Sequence, residues 1–177
     1  QFSRGNGIVI KAGKNNLIGG CTFSNLGDVA VKLEAGQNNG IAACDIYDVA
    51  AGGVILGGGD RKSITPAGNF VVNTHIHHYS QWIRTYQSAI TISGVGNRAA
   101  HNVIHDAPGS GILLTGNEHI IEYNELYDLA LETGDVGAFY MGRDWTERGN
   151  IIRYNYFHDL TGPGVHDVNA VYLDDWA

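Results

Sequence analysis

Six stretches of this chain fall into one frame. They begin "NNLIGGCTFSN", "NNGIAACDIYD", "NFVVNTHIHH", "NRAAHNVIHD", "HIIEYNELYD" and "NIIRYNYFHD". One aligned column holds Cys21, Cys44, Thr74, Asn102, Asn124 and Asn155. Two places on, another holds Phe23, Ile46, Ile76, Ile104, Leu126 and Phe157. Three places before the first, a third holds Ile18, Ile41, Val71, Ala99, Ile121 and Ile152. Each unit then carries a second strand pattern. Its apolar columns are Val31, Val54, Ile90, Ile112, Phe139 and Val171, and Leu33, Leu56, Ile92, Leu114, Met141 and Leu173. These two columns sit two residues apart in every unit, so both face one side of a strand. Lys32, Ile55, Thr91, Leu113, Tyr140 and Tyr172 lie between them and face outward.

Self-similarity of this kind outranks any local signal, because each unit buries its apolar side only by stacking on its neighbours. The first column is spaced 23, 30, 28, 22 and 31 residues apart. The short spacings suit one turn of a parallel β-helix, and the long ones the same turn with loops added. No unit carries a convincing helical period, which argues against leucine-rich or other helix-containing repeats. The expectation is an all-β solenoid of about six coils, with Asn102, Asn124 and Asn155 as an inward ladder of stacked amides.

Composition agrees. Glycine supplies 25 of 177 residues and proline only 3, as tight turns without disorder require. The net charge is −7, and lysine and arginine form no run, which argues against nucleic acid or anionic membrane as a partner. No apolar stretch approaches the ~20 residues that cross a bilayer. The chain forms one domain, 1–177. Its first residue is not Met and both ends fall within a coil, so it is expected to be part of a longer chain, whose remainder is then a partner. Cys21 and Cys44 stack in one inward column with Cβ atoms expected ~4.8 Å apart, too wide for a disulfide, so free thiols are expected.

The pattern N-x-I-x-x-N-x-I-H-D…G-I-x-L resembles the right-handed parallel β-helix repeat, and it covers essentially the whole chain. That repeat is shared by lyases, hydrolases, epimerases and phage tailspikes, so it speaks for fold more than for chemistry. Loop insertions lie along one face: "HYSQWIRTYQSA", "DLALETGDVGA" and "DLTGPGVHDVNA" before the second strand, and "GGGDRKSITPAGN" and "GRDWTERGN" after it. Such loops would wall a groove suited to a polysaccharide.

Over that face the chain writes one phrase twice, "GDVGAFYMGRDW" from Gly134 and "HDVNAVYLDDW" from His166. Asp135 matches Asp167 and Tyr140 matches Tyr172. Asp144, Asp174 and Asp175 gather at the far end of the strand, with Arg143 expected beside Asp175. Paired carboxylates are what glycoside hydrolysis needs, one protonated as acid and one ionised as base or nucleophile. Asp135, Asp144, Asp174 and Asp175 are the candidate catalytic acids. Tyr140, Arg143, Trp145, His166, Asp167 and Tyr172 are candidates for holding sugar, the aromatic rings through stacking. Turn-forming aspartates and a plain tyrosine ladder would explain several of the same residues structurally.

The phrase "GDVGAFYMGRDWTERGNIIRYNYFHD…VYLDD" also resembles the carbohydrate-active β-helix proteins of polysaccharide-degrading bacteria, including β-helical glycosidases of the α-L-fucosidase and β-xylosidase types. The residues that carry the likeness are Asp135, Gly137, Ala138, Tyr140, Gly142, Arg143, Asp144, Trp145, Tyr172, Asp174 and Asp175. The resemblance implies a secreted or periplasmic enzyme that uses two carboxylates on a polysaccharide or oligosaccharide. A glycoside hydrolase is the first expectation. A polysaccharide lyase on a uronate-containing glycan and a non-catalytic glycan-binding or structural solenoid are the alternatives.

No cofactor is called for, and no metal is assigned. His77, His105 and His158 share a column with Tyr47 and Tyr127, so that column tolerates residues that are not metal ligands. The cluster at His75, His77 and His78 has no carboxylate close in sequence, although Asp45 stacks below His75.

Overall fold

The computed structural model describes residues 2–177. Strand β1 (Ile8–Ile10) comes first, and six coils of three strands follow. The first coil comprises β2 (Leu17–Gly19), β3 (Thr22–Leu26) and β4 (Val31–Leu33). The second comprises β5 (Gly40–Ala42), β6 (Asp45–Val49) and β7 (Val54–Leu56). The third comprises β8 (Phe70–Val72), β9 (His75–His77) and β10 (Ile90–Ile92). The fourth comprises β11 (Arg98–Ala100), β12 (Val103–His105) and β13 (Ile112–Leu114). The fifth comprises β14 (Ile120–Glu122), β15 (Glu125–Leu126) and β16 (Val136–Met141). The sixth comprises β17 (Ile151–Arg153), β18 (Tyr156–Phe157) and β19 (Val168–Leu173).

The strands stack into three parallel sheets, ordered β1-β4-β7-β10-β13-β16-β19, β2-β5-β8-β11-β14-β17 and β3-β6-β9-β12-β15-β18. This is a parallel β-helix, an all-β solenoid. Register follows the sequence columns: Val31 pairs with Val54, Val54 with Ile90, Ile90 with Ile112, Ile112 with Phe139 and Phe139 with Val171. The inward columns form one continuous core, with Leu33, Ile46, Leu56, Ile76, Ile90, Ile104 and Ile112 completely buried. Each such side chain contributes about 1.5–3 kcal/mol of burial.

Corners are as regular as strands. Between the second and third sheets each coil places one residue in the left-handed region: Gly20, Ala43, Asn73, His101, Tyr123 and Tyr154. At the end of the third-sheet strands the same is true of Asn25 and Asp48, within β3 and β6, and of His78, Asp106, Asp128 and Asp159 just after theirs. Asparagine and aspartate tolerate this conformation best among non-glycine residues, which explains the recurrent aspartate of "I-H-D" and its variants.

Two buried ladders hold the corners together. In the expected one, Oδ1 of Asn102, Asn124 and Asn155 accepts the backbone N–H of Thr74, Asn102 and Asn124, each at 3.0 Å. The second runs through Asn16, Asn39, Asn69, Asn97, His119 and Asn150 at the preceding corner. His119 stands in for an asparagine: Nδ1 accepts from Asn97 N–H at 3.0 Å and Nε2 faces Thr115 O at 3.1 Å. Burial pushes its pKa down to about 4, so it stays neutral and keeps that acceptor. Cys21 and Cys44 are free thiols.

Candidate functional site

The outward column of the first sheet ends in Tyr140 and Tyr172, paired across β16 and β19. Insertions rise beside it and enclose a cleft of ≈ 570 Å³ lined by Arg84–Gln87, Gly109, Ser110, Leu113, Thr133–Val136, Tyr140, Gly142, Arg143 and Asp174. The wall is fixed from beneath. Completely buried Tyr79 donates its hydroxyl to Ser110 O at 2.8 Å, anchoring the loop after β9 to the loop before β13. Arg84 pairs with Glu132 and so ties the third-coil insertion to the fifth-coil one.

One network occupies the cleft floor. Tyr140 donates its phenol to Asp174 Oδ2 at 2.6 Å. Arg143 reaches the same oxygen through Nε and an Nη, both at 3.1 Å. The Tyr140 hydrogen bond and Arg143 hold Asp174 below the usual carboxylate range. Burial, then the Asp174 carboxylate, pushes the Tyr140 phenol up. At the other end of the strands Tyr172 donates to Asp135 Oδ1 at 3.1 Å, which pushes its pKa up to about 12. The two tyrosine rings meet edge to face, 5.6 Å between centroids and 88° between planes, rather than stacked as a sugar platform.

Arg143 is backbone-strained. Two residues past their strands, β7, β10 and β13 are followed by Gly58, Gly94 and Gly116, with φ of 98°, 85° and 103°. The matching residue after β16 is Arg143, at φ 70°. A non-glycine residue in this region costs on the order of 1–3 kcal/mol and tends to persist where a site needs its side chain. Here that side chain is pinned to Asp174 yet remains 66% exposed to the cleft.

The coordinates redistribute the expected acid cluster. Asp135 and Asp174 line the cleft. Asp144 does not: Arg61, from the insertion after β7, holds its Oδ2 at 2.9 Å, and its Oδ1 accepts from Thr146 N–H at 3.0 Å and Thr146 Oγ1 at 2.5 Å. The Thr146 bonds and Arg61 bring its pKa down to about 2, so Asp144 closes a loop and locks it to the scaffold. Arg143 meets Asp175 only through the backbone, N to O at 2.6 Å; its guanidinium turns to Asp174 instead. The expected Arg143–Asp175 side-chain pair is therefore replaced by Arg143–Asp174. Trp145 is 83% exposed and is not among the residues lining the cleft, and His166 and Asp167 lie exposed on the loop before β19. Asp135 and Asp167 both take left-handed backbone, φ 51° and 57°, which is the turn role that aspartate fills elsewhere in the chain.

Arg84, Tyr86 and Gln87 line the cleft and were missing from the expected site. Their signal was present in the insertion after β9, which carries an arginine among aromatic residues. Loop direction was not. Another hollow of ≈ 750 Å³ lies at the first coil, lined by Phe2, Arg4, Asn25, Asp48 and Trp82 among others. Among the described residues it has no network of hydrogen-bonded charged side chains.

A second cluster sits on the outward face of the third sheet. Asp45 on β6 pairs in register with His75 on β9, and Tyr47 with His77. Rings stack up this face in the order Tyr47, His77, His105, Tyr127, His158. Asp45 Oδ1 lies 3.3 Å from His75 Nδ1 and 3.6 Å from His77 Nε2. That oxygen is buried and has no hydrogen-bond partner. Burial, then neighbouring imidazoles, lowers the pKa of both His75 and His77, so both are neutral at neutral pH.

No protein-family model matches the chain, and no curated protein matches its sequence. Among solved structures, an alginate lyase from Paenibacillus sp. str. FPU-7 superposes on 96% of this chain and 78% of its own, with a TM-score of 0.46 and 16% sequence identity.

Proposed function

We propose that the cleft binds an acidic glycan and cleaves it by β-elimination, as a polysaccharide lyase acting on uronate units. The observation that carries this is Arg143: a strained, exposed guanidinium at the cleft floor, held against an ionised carboxylate and a protonated phenol. Its fork suits a sugar carboxylate, and pairing there acidifies the neighbouring C5 proton. Tyr140 and Asp174 then handle protons as a pair. Asp174 takes the C5 proton while the C4–O bond breaks and the C4–C5 double bond forms. Tyr140 gives its phenolic proton to the departing oxygen. The proton on Asp174 returns to Tyr140 through their 2.6 Å hydrogen bond, and no water is consumed. A polymeric substrate places such an enzyme outside the cytoplasm, secreted or periplasmic.

Hydrolysis is the second reading, supported by Asp135 and Asp174 lining one cleft. It asks one carboxyl to hold a proton near neutral pH. Asp174 and Asp144 are both held ionised instead. Glu147 is pushed up by burial, but it accepts from Gly116 N–H at 2.8 Å and does not line the cleft.

The test is incubation with uronate-containing and neutral polysaccharides, reading ultraviolet absorbance and reducing ends together. Lyase action gives both signals on the acidic polymer, lost in Tyr140→Phe. Reducing ends without absorbance mean hydrolysis. Retention of the acidic glycan without cleavage means a binding module.

A further inference from the structure

The third-sheet cluster poses a proton-counting problem. Asp106 Oδ2 lies 2.7 Å from His105 Nδ1, and a carboxylate only accepts, so His105 donates from Nδ1. His105 Nε2 and His75 Nε2 stand 2.6 Å apart and share one hydrogen, which His75 supplies when His105 carries its own on Nδ1. Nδ1 of His75 is left as a lone pair facing Asp45 Oδ1. On the other side His77 Nδ1 meets His78 Nδ1 at 2.7 Å. With His77 as donor, its Nε2 also turns a lone pair toward Asp45. Three acceptor atoms then lie within 4.8 Å of one another with no hydrogen among them. An orphaned carboxylate oxygen at this point is costly unless a cation occupies it.

We propose that Asp45, His75 and His77 form a binding site for a divalent transition metal of the zinc class. Ligand atoms about 2.0–2.1 Å from a tetrahedral zinc lie roughly 3.3–3.4 Å apart. Asp45 Oδ1 stands 3.3 Å from one imidazole nitrogen and 3.6 Å from the other, close to those edges before any adjustment. Two nitrogen donors favour zinc, cobalt or nickel over calcium or magnesium, which prefer oxygen. The outer partners are in place as well. The chain from Asp106 through His105 to His75 fixes the ligand's tautomer as a carboxylate does behind a metal-bound histidine. His75 and Asp45 are partly exposed, so the ion has an entry path and a fourth position for water. Because Asp45 comes from β6 and both histidines from β9, the ion would clamp two coils together. None of these residues lines the cleft.

The experiment titrates Co²⁺ into the metal-stripped chain, follows the visible bands of tetrahedral cobalt, and then displaces it with Zn²⁺. One ion per chain with tetrahedral bands is expected. Asp45→Asn and His77→Ala should each weaken binding by at least about 100-fold, and His105→Gln by about 10-fold, as loss of an outer partner does. His166→Gln, an exposed histidine elsewhere, should change nothing. Circular dichroism melts confirm that each variant is folded, and His105→Gln, which keeps all three ligands, remains informative if Asp45→Asn is not. Failure to bind one ion, or equal affinity in Asp45→Asn and the parent chain, overturns the proposal, and either result leaves the reading of the cleft untouched.

Discussion

In the cleft, each charged group already has a counterpart. Asp174 takes Tyr140 and Arg143, Asp135 takes Tyr172, and Glu132 takes Arg84. On the third-sheet face, Asp45 Oδ1 is buried, accepts no hydrogen bond and stands 3.3 and 3.6 Å from two imidazole nitrogens. The two surfaces share one scaffold and one register, yet they solve the carboxylate problem in opposite ways. A compensated network can exchange partners: in the proposed reading Arg143 turns to a substrate carboxylate while Tyr140 still donates to Asp174. An uncompensated oxygen between two neutral imidazoles has nothing to exchange and can only receive. In the two proposals above, the first arrangement serves turnover and the second serves capture.

The contrast breaks most sharply at Tyr140. Tyr140→Phe removes the proton donor and should lower turnover by about 10²–10⁴-fold on acidic polymer, with Co²⁺ binding unchanged. An active Tyr140→Phe enzyme would end the proton-pair assignment. Next in size is the shared scaffold. Asn124→Ala leaves the buried Asn102 N–H without its acceptor. It should cost about 3 kcal/mol in denaturant unfolding and weaken both surfaces together. Saturating metal should follow: at about 100 times its dissociation constant it adds about 2.7 kcal/mol. That corresponds to a rise of about 5–10 °C in melting temperature for a chain of this length, without altering cleavage.

Two smaller effects sharpen the cleft side. Arg143→Gly restores the residue that the preceding coils use, and should raise stability by about 1 kcal/mol while abolishing cleavage. A variant that is less stable would mean that no strain is stored there. Asp144 gives a test by pH. Its folded pKa of about 2 lies below the unfolded value, so its stabilising contribution is present above about 3.9 and fades as pH falls through about 2. Carbon-detected titration of Asp144 should show this low midpoint, and Arg61→Ala should move it upward with activity kept near the parent value.

The fold was legible because register in a solenoid is a property of columns. Six copies of the same apolar beat over-determine which residues face inward, and Cα pairing in every sheet follows them. The second ladder, from Asn16 to Asn150, was written just as openly but was broken at His119, whose burial and tautomer make it an asparagine substitute. Of the candidate site, Tyr140 and Tyr172 lie on β16 and β19 where strand periodicity puts them, and Asp135 and Asp174 lie one residue outside those strands, before β16 and after β19. Asp144 went elsewhere because Arg61 arrives from a loop 83 residues earlier, and no periodicity encodes where a loop goes. The Asp45–His75–His77 group was visible as neighbouring columns, but histidine tautomers depend on distances of a few tenths of an ångström.

Coil length varies here from 22 to 31 residues while pairing stays in phase. Insertion length is thus decoupled from the core: lengthening the 78–89 segment does not shift β10 against β7. The walls of the proposed glycan cleft can be rewritten as a cassette, by exchanging residues 81–87 or 131–135 and leaving the spine alone. A family built this way would diversify its substrates faster than its fold, and its members would be easier to match by shape than by sequence.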